Sequence, residues 1–465
     1  MAMGERGQSA VSRCLELPEI VYEIATYLHE PLDLHSASCC NRLWYEVLLP
    51  LRALYAQITV DCVPSFLEFL KSNDRAIHFC QALRVLTLHL EDEDGDSKAE
   101  KVKDVINSGA ISAIFNLFAE KGDLKFFMFA LPGEPSQILP DDVWITLRKL
   151  SNTLQGLYIE LMDEHWPIFL SKNDAYNPRD ALIAFLHEHK QLNVLHLYLG
   201  ERFAGTDFSE LHFPELHSFL LISKAQGVEI GPFLSKHKTL QTLDIFTDST
   251  IPAFSENDLP NLVALQVSSL TVPWFHNVLA VSASREQPIR HIQISTEKEI
   301  YYQVIQQIIA PLWNALRCIE LIFWSRDVRL TSVLGNISET FPQLVELSLF
   351  IPSWRADDGN PSKSESFDMG SILKCFESNN YLLAISFSDS AADFLDEDDI
   401  REVSALIPPR LRYIVWRAQT FKLERSESGI NPVRTYHPRN YRGSKYFRNW
   451  HEEMVFDHLK GDYDA

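Results

Sequence analysis

The chain has 465 residues, of which 46% are hydrophobic and 23% are charged, and its formal net charge is −21 at pH 7. This composition indicates a folded chain, and the negative charge argues against nucleic-acid binding by the whole chain and favours solubility or basic protein partners. The length exceeds one ordinary hydrophobic core and predicts a small domain followed by a long repeat region.

The chain shows no sequence signal for a membrane or for secretion. No run approaches the roughly 18 apolar residues of a membrane span, and the first residues, MAMGERGQSAVSRC, contain no apolar stretch typical of a signal peptide. Seven scattered cysteines indicate reduced thiols. We therefore expect a cytoplasmic and/or nuclear protein.

The first patterned stretch runs from residue 15 to residue 50, after a segment, 1–13, that is predicted to be disordered. It is typical of three short helices. Pro18 suits a first helical position, and Asn41 can cap the third helix, which is expected to end before Pro50. The apolar stripe of the first helix consists of Ile20, Ile24 and Leu28.

The order of motifs in this stretch resembles the F-box. The resemblance rests on LPEI, Ile24, Tyr27-Leu28, Asp33-Leu34 and NRLW followed by Leu48, as in fungal F-box proteins with degenerate leucine-rich repeats. It departs from the common pattern at Cys40 and Asn41, where Val-Cys or Val-Ser is frequent, and in a slightly long link between Leu28 and Asp33.

The resemblance implies docking on the Skp-family adaptor of a cullin-RING ubiquitin ligase. The residues that it places in the docking face or its support are Leu17, Pro18, Ile20, Ile24, Leu28, Leu34 and Trp44. The alternative is an amphipathic three-helix cap on the repeat region that follows.

Residues 53–60 are predicted to form a strand, and an apolar helix is predicted near residues 66–70. A phrase of the form LxxLxL then recurs, and FPQLVELSL at residues 341–349 is its clearest example. Helix-like segments separate the phrases, as expected of leucine-rich repeats. The first apolar residues of the twelve phrases are Leu83, Leu124, Leu154, Leu192, Leu216, Leu240, Leu262, Ile289, Leu316, Leu344, Leu382 and Leu411.

Successive side chains of a strand point to opposite faces, so the residues three and five places after the first leucine are predicted to enter the core. The residues two, four and six places after it should line the opposite, concave face. This predicted target-binding set is Tyr158, His196, Tyr198, Asp244, Phe246, Gln266, His291, Gln293, Glu320, Glu346, Phe350, Tyr413 and Arg417. Its three carboxylates favour a basic target segment. A register slip of one residue would instead place Phe246 and Phe350 in an irregular core.

The tail reverses the charge of the chain, because residues 417–448 contain eight Lys or Arg against two Glu. The favoured interpretation is a terminal segment that covers the last repeat. The alternative is an anchoring surface for an acidic partner, or for single-stranded nucleic acid through its aromatic residues.

Catalytic and metal-binding patterns are weak. EDEDGD at residues 91–96 departs from calcium-loop spacing, and His187 with His189 lacks further ligands at metal-site spacing. No GxxxxGK or GxSxG motif is present. We therefore expect no enzyme activity and no catalytic, cofactor or metal site.

The predicted fold class is α/β: a short three-helix F-box followed by an irregular leucine-rich-repeat horseshoe, or solenoid, of about twelve units. The predicted domains are a disordered segment at 1–13, the F-box at 14–52, the solenoid at 53–420 and a C-terminal cap at 421–465. The expected function is substrate recognition in an SCF-type ubiquitin ligase for ubiquitin-dependent degradation. The alternatives are an interaction scaffold that acts without ubiquitination and a hydrolase hidden in the degenerate solenoid.

Overall fold

The structure of the protein is a computed structural model. It describes residues 17–25, 36–52, 55–72, 74–89, 104–105, 107–130, 141–161, 178–247, 258–268, 278–279, 281–283, 285, 288–296, 309–312, 314–323, 330–351, 369–389, 395–416, 419–427 and 429–435. The chain divides into two compact units, a first unit of residues 1–200 with 449–465 and a second unit of residues 201–448.

The repeated phrase sets the position of the strands in both units. A strand begins two residues after the first apolar residue of each predicted phrase; Leu216, for example, precedes Ser218–Ser223, and Leu344 precedes Glu346–Ile351. Neighbouring strands within each unit pair mostly in parallel, which confirms the predicted α/β class with a predominantly parallel strand arrangement. The horseshoe shape and the F-box identity of the helices stay predictions.

Among the described residues, the first unit alternates helices with five parallel strands. Its helices are α1 (Pro18–Ala25), α2 (Arg42–Arg52), α3 (Val63–Ser72), α4 (Asp74–Ala82), α5 (Ala110–Lys121), α6 (Asp141–Arg148) and α7 (Pro178–Glu188). Its strands are β1 (Tyr55–Thr59), β2 (Val85–His89), β3 (Phe126–Ala130), β4 (Gly156–Leu161) and β5 (Val194–Leu199). Strand β1 and helix α3 lie where the sequence predicts a strand and an apolar helix.

Among the described residues, the second unit contains more paired strands than the first unit. Its helices are α8 (Gly231–Lys236), α9 (Leu330–Thr340), α10 (Met369–Cys375) and α11 (Glu397–Glu402). Its strands are β6 (Ser218–Ser223), β7 (Thr242–Thr247), β8 (Ala264–Ser268), β9 (His291–Thr296), β10 (Cys318–Phe323), β11 (Glu346–Ile351), β12 (Ala384–Asp389), β13 (Tyr413–Trp416), β14 (Gln419–Ser426) and β15 (Gly429–Thr435). Short 3-10 turns occur at Glu201–Phe203, Ala310–Leu312 and Ser404–Leu406.

The two faces of each strand differ as the phrase predicts. The odd face, which carries the residues three and five places after the first leucine, is buried; in β7 these residues are Leu243 and Ile245, both at most 1% exposed. The even face carries the residues two, four and six places after the first leucine. In β10 the six residues alternate between half-buried and buried, so the register does not slip there.

A repeated backbone hydrogen-bond pattern connects successive phrases. The carbonyl one residue after the first leucine accepts hydrogen bonds from two consecutive N–H groups of the next phrase: Arg317 O accepts from Val345 N (2.8 Å) and Glu346 N (3.0 Å). The N–H of the first leucine donates to the carbonyl three residues earlier, as Leu344 N does to Phe341 O at 3.1 Å. These bonds occupy backbone groups that would otherwise be buried without partners.

In some phrases the residue three positions before the first leucine is polar and buried. Its side chain then forms hydrogen bonds with the backbone of the turn that leads into the strand. His237 lies there in one phrase; its Nδ1–H donates to Phe233 O (2.6 Å) and its Nε2 accepts from Phe213 N (2.8 Å). In another phrase Asn379 Oδ1 accepts from Tyr381 N (2.8 Å) and Leu382 N (3.0 Å). Both residues are at most 4% exposed.

Helix α2 corresponds to the third helix predicted from the sequence. Its predicted cap is present, because Asn41 Oδ1 accepts a hydrogen bond from Trp44 N at 2.9 Å. The expected end of that helix was wrong. Helix α2 continues to Arg52, so Pro50 lies in its last turn, where its missing N–H removes only one bond from the helix. The predicted disordered segment 1–13 lies outside the described residues.

An antiparallel hairpin follows the last parallel strand. Strand β14 pairs with β13, Ile414 being opposite Phe421, and β15 pairs with β14. Phe421 is 1% exposed, so the hairpin buries apolar surface at the end of the sheet. The rest of the basic tail, from residue 436, lies outside the described residues.

Candidate protein-interaction surfaces

The N-terminal helices pack on the even face of the first unit. One apolar cluster joins residues of α1 and α2 to even-face residues of β2, β3 and β5. This N-terminal cluster consists of Val21, Leu48, Val85, Phe126, Met128 and Val194, and the half-buried Ala37, Leu43, Trp44, Val47 and Tyr158 pack against it. The helices are therefore anchored on the sheet through a continuous apolar contact.

Helix α1 also presents apolar side chains to solvent. Neighbouring residues on a helix are about 100° apart, so Val21 can be fully buried while Ile20 stays 39% exposed. Leu17, which precedes the helix, is 49% exposed, and its carbonyl accepts hydrogen bonds from Ile20 N and Val21 N. The result is an exposed apolar edge, formed by Leu17, Pro18 and Ile20, on an anchored helix.

The structure separates the predicted adaptor-binding residues into two groups. Leu17, Pro18 and Ile20 are exposed, whereas Ile24 is half-buried and Trp44 packs against the N-terminal cluster. Trp44 thus lies in the support of the helices and not on their outer surface. Leu28 and Leu34 lie outside the described residues.

Three predicted target-binding residues come together in the first unit. The ring of Tyr158 lies 5.0 Å from that of Tyr198 and 6.2 Å from that of His196, and its hydroxyl donates to Glu160 Oε2 at 3.4 Å. Burial, with the neighbouring Tyr198 and Glu160, raises the pKa of Tyr158. Because Tyr158 also packs on the N-terminal cluster, the helices already occupy part of the surface that the sequence assigns to a target.

The second unit carries a polar row along its even face. The parallel register places Asp244 beside Gln266, Gln266 beside Gln293, and Gln293 beside Glu320. Four predicted residues therefore lie on four successive strands. We call this set, Asp244, Gln266, Gln293 and Glu320, the polar row.

The carboxylates of the polar row are desolvated. Asp244 is 5% exposed, and burial raises its pKa to about 7. Burial likewise raises the pKa of the half-buried Glu320 to about 7. Among the residues that the structure describes, neither carboxylate has a hydrogen-bond or ion-pair partner, so nothing offsets the free-energy cost of charging them there.

A second row lies two residues closer to the strand starts. It places His291 beside Cys318 and Cys318 beside Glu346. His291 is 1% exposed, and burial holds its pKa well below the usual value. Burial, and then the Glu346 carboxylate, raises the pKa of the Cys318 thiol. Tyr413 continues this row on β13 and is half-buried.

The aromatic members of the predicted set lie on the even face as well. Phe350, which pairs with Ile322 in the register, is 40% exposed, so it does not belong to an irregular core. Phe246 is half-buried on β7. Arg417 lies outside the described residues.

The prediction omitted small even-face residues that extend these rows. Ser348 and Ser386 continue the polar row beyond Glu320, and Cys318 separates His291 from Glu346. The same offsets from Leu344, Leu382 and Leu316 would have found them. Their side chains are short and carry no charge in the sequence pattern that would single them out.

Within the described ranges, no group of three His, Cys, Asp or Glu residues is arranged to hold a metal ion. No helix in those ranges is both long and apolar enough to cross a membrane.

No protein-family model and no curated protein sequence matches the chain. Among solved structures, the chain is similar to the leucine-rich repeat-containing protein LegL7 from Legionella pneumophila, with 11% identity and a TM-score of 0.34 over 88% of this chain and 99% of that one. It is also similar to a chain of the Rad7 and Elc1 complex from yeast, with 13% identity and a TM-score of 0.33 over 88% of this chain and 93% of that one. The functional conclusion therefore depends on the residues of this chain.

Proposed function

We propose that the protein is the substrate-recognition subunit of an SCF-type cullin-RING ubiquitin ligase. Helices α1 and α2 would dock on a Skp-family adaptor, and the even face of the second unit would hold a target protein. The protein itself would catalyse no reaction and need no cofactor, since other subunits carry out ubiquitin transfer. Such a complex would act in the cytoplasm, the nucleus or both.

The observation that carries the proposal is the exposed apolar edge of α1. Leu17 and Ile20 are large apolar side chains that remain 49% and 39% exposed, although Val21 beside them is completely buried. A partner that covers such anchors gains most of its affinity from a few residues. The position of this edge within the F-box-like stretch makes the adaptor the favoured partner.

The test is co-purification of the Skp-family adaptor with the Leu17→Ala/Ile20→Ala variant. Fully burying one such side chain from water is worth about 1.5 to 3 kcal/mol. Because Leu17 and Ile20 are already about half covered, the two together contribute roughly that amount, and we expect on the order of a tenfold to hundredfold weaker binding. The matched control is Ile145→Ala, because Ile145 is a large apolar residue that is 56% exposed on helix α6, outside the proposed docking edge. We expect this control to bind like the parent.

Retention of the adaptor by a correctly folded Leu17→Ala/Ile20→Ala variant would contradict the docking proposal. If the adaptor binds but no cullin co-purifies, the protein acts as a scaffold without ubiquitination, and the ligase part of the proposal is wrong. Circular dichroism and the melting temperature establish that each variant is folded.

A further inference from the structure

The polar row contains two side chains that are more than nine-tenths buried. Asp244 is 5% exposed and Gln293 is 8% exposed, and neither has a hydrogen bond to any residue within the described part of the chain. Removing polar groups from water without giving them hydrogen-bond partners costs free energy. A ligand that supplies donors to the carboxylate and to the amide would remove this cost.

The charge of the surrounding strands favours a cation. None of the residues in strands β6 to β13 is Lys or Arg, whereas Asp244, Glu320 and Glu346 all lie on their even face. A basic side chain from outside would therefore meet carboxylates and, within these strands, no Lys or Arg that competes for them. A guanidinium group fits this surface well because it donates several hydrogen bonds at once.

The register gives the distance between the two carboxylates of the polar row. Asp244 lies on β7 and Glu320 on β10, three strand steps away. With about 4.8 Å between neighbouring strands, the separation is about 14 Å. This exceeds the Debye length of about 8 Å at physiological salt, so each carboxylate can bind its own cation.

An extended segment that crosses the strands can match this separation. Its residues rise about 3.3 Å each, so residues four apart are about 13 Å apart and point to the same side. Residues three apart point to opposite sides. Between the carboxylates, Gln266 and Gln293 offer amide groups to the backbone of the segment.

We propose that the even face of the second unit binds an extended target segment that carries two basic residues, preferably arginines, four positions apart. One basic residue pairs with Asp244 and the other with Glu320. This inference deepens the proposed function and rests on it, because it names the class of target that the receptor would hold.

The test measures binding of two fluorescein-labelled peptides to the full chain by fluorescence anisotropy. The peptide GSRTVTRSG has its arginines four apart, and its isomer GSRTVRTSG has them three apart; the β-branched residues favour the extended form. We expect GSRTVTRSG to bind at least tenfold more tightly than its isomer, and we expect Asp244→Asn/Glu320→Gln to remove that preference.

The matched control is Asp207→Asn/Glu210→Gln, which removes the same two charges from exposed positions of the second unit. It should retain the preference for GSRTVTRSG. Equal binding of the two peptides, no binding of either, or an undiminished preference in Asp244→Asn/Glu320→Gln would overturn the inference.

The adaptor measurement separates this inference from the proposed function. The variant Asp244→Asn/Glu320→Gln should still co-purify the adaptor, and Leu17→Ala/Ile20→Ala should still bind GSRTVTRSG. Adaptor binding without peptide preference overturns the inference alone. Peptide preference without adaptor binding overturns the docking proposal alone.

Discussion

The ring of Phe126 on β3 occupies the space where a side chain of Gly156, its register partner on β4, would be. A Cβ atom at Gly156 would lie 1.9 Å from Phe126 Cδ1. The ring is completely buried in the N-terminal cluster, where the helices α1 and α2 hold it against the sheet. Gly156 is therefore required for the packing of the helices on the first unit.

We accordingly expect Gly156→Ala to lower the free energy of unfolding by about 1 to 3 kcal/mol, the usual cost of overpacking a core. The matched control is Gly335→Ala in helix α9, where a Cβ atom would have no heavy atom within 4 Å. That control should stabilise the protein by roughly 0.5 to 1 kcal/mol. Urea unfolding measures both, and an unchanged stability of Gly156→Ala would contradict the close packing of the Phe126 ring on Gly156.

Asp244 should make the protein less stable as pH rises. Its pKa is raised from 3.8 to about 7, so the folded state binds more protons than the unfolded state between these values, and stability falls across this range. Asp244→Asn removes the titrating group. We expect the stability advantage of the variant over the parent to grow by on the order of 2 to 3 kcal/mol between pH 5 and pH 8.

Urea unfolding at the two pH values measures this advantage, with Glu210→Gln as the control at an exposed position. The control should show no comparable dependence on pH. A constant difference between Asp244→Asn and the parent would mean that Asp244 is ionised in the folded protein.

His237 should have the opposite effect. Burial lowers its pKa from 6.5 to about 4, so the folded state holds it neutral, and its contribution to stability is lost as pH falls from about 6.5 towards 4. The variant His237→Asn replaces it by the residue that completes the corresponding turn at Asn379. We expect its stability to fall less between pH 7 and pH 5 than that of the parent, by on the order of 2 kcal/mol.

The comparison variant for His237 is His187→Asn, because His187 is exposed on helix α7. Its pH dependence should equal that of the parent. If His237→Asn also follows the parent, the acid sensitivity of the protein originates elsewhere.

Phe421 should be the main apolar anchor of the C-terminal hairpin. It lies opposite Ile414 of β13 and is 1% exposed. Truncating a buried phenylalanine to alanine costs about 3 to 5 kcal/mol, so Phe421→Ala should lower the melting temperature clearly. Val433→Ala on β15, where Val433 is 37% exposed, should change it little. Equal melting temperatures for the two variants would argue against a capping role of the hairpin.

The sequence predicts strand positions well because a two-residue offset between paired apolar side chains fits only a strand face. The leucines of each phrase, such as Leu344, Leu347 and Leu349, are all at most 1% exposed. The same offsets located the polar row, since a strand that buries one face must turn the intervening residues to the other.

The sequence did not predict the burial of that row or the docking of the helices on β2 to β5. Both depend on contacts between residues far apart in the chain: Val21 meets Val85 and Phe126, which no local periodicity encodes. For the same reason the pattern assigns Tyr158 to a target surface, although Tyr158 packs against this cluster. The apolar pattern of a strand predicts which face a side chain lies on. The residue that packs against that side chain depends on tertiary structure.

The N-terminal cluster also limits how the protein can be engineered. Exchanging residues 14–52 for the N-terminal helices of another protein would leave Val85, Phe126, Met128 and Val194 facing side chains that were not selected to fit them. A chimera of this kind would expose an apolar patch and aggregate, unless the foreign helices carried side chains of the same shape as Val21 and Leu48. The helices are therefore not a portable module, and grafting should move the first five strands together with them.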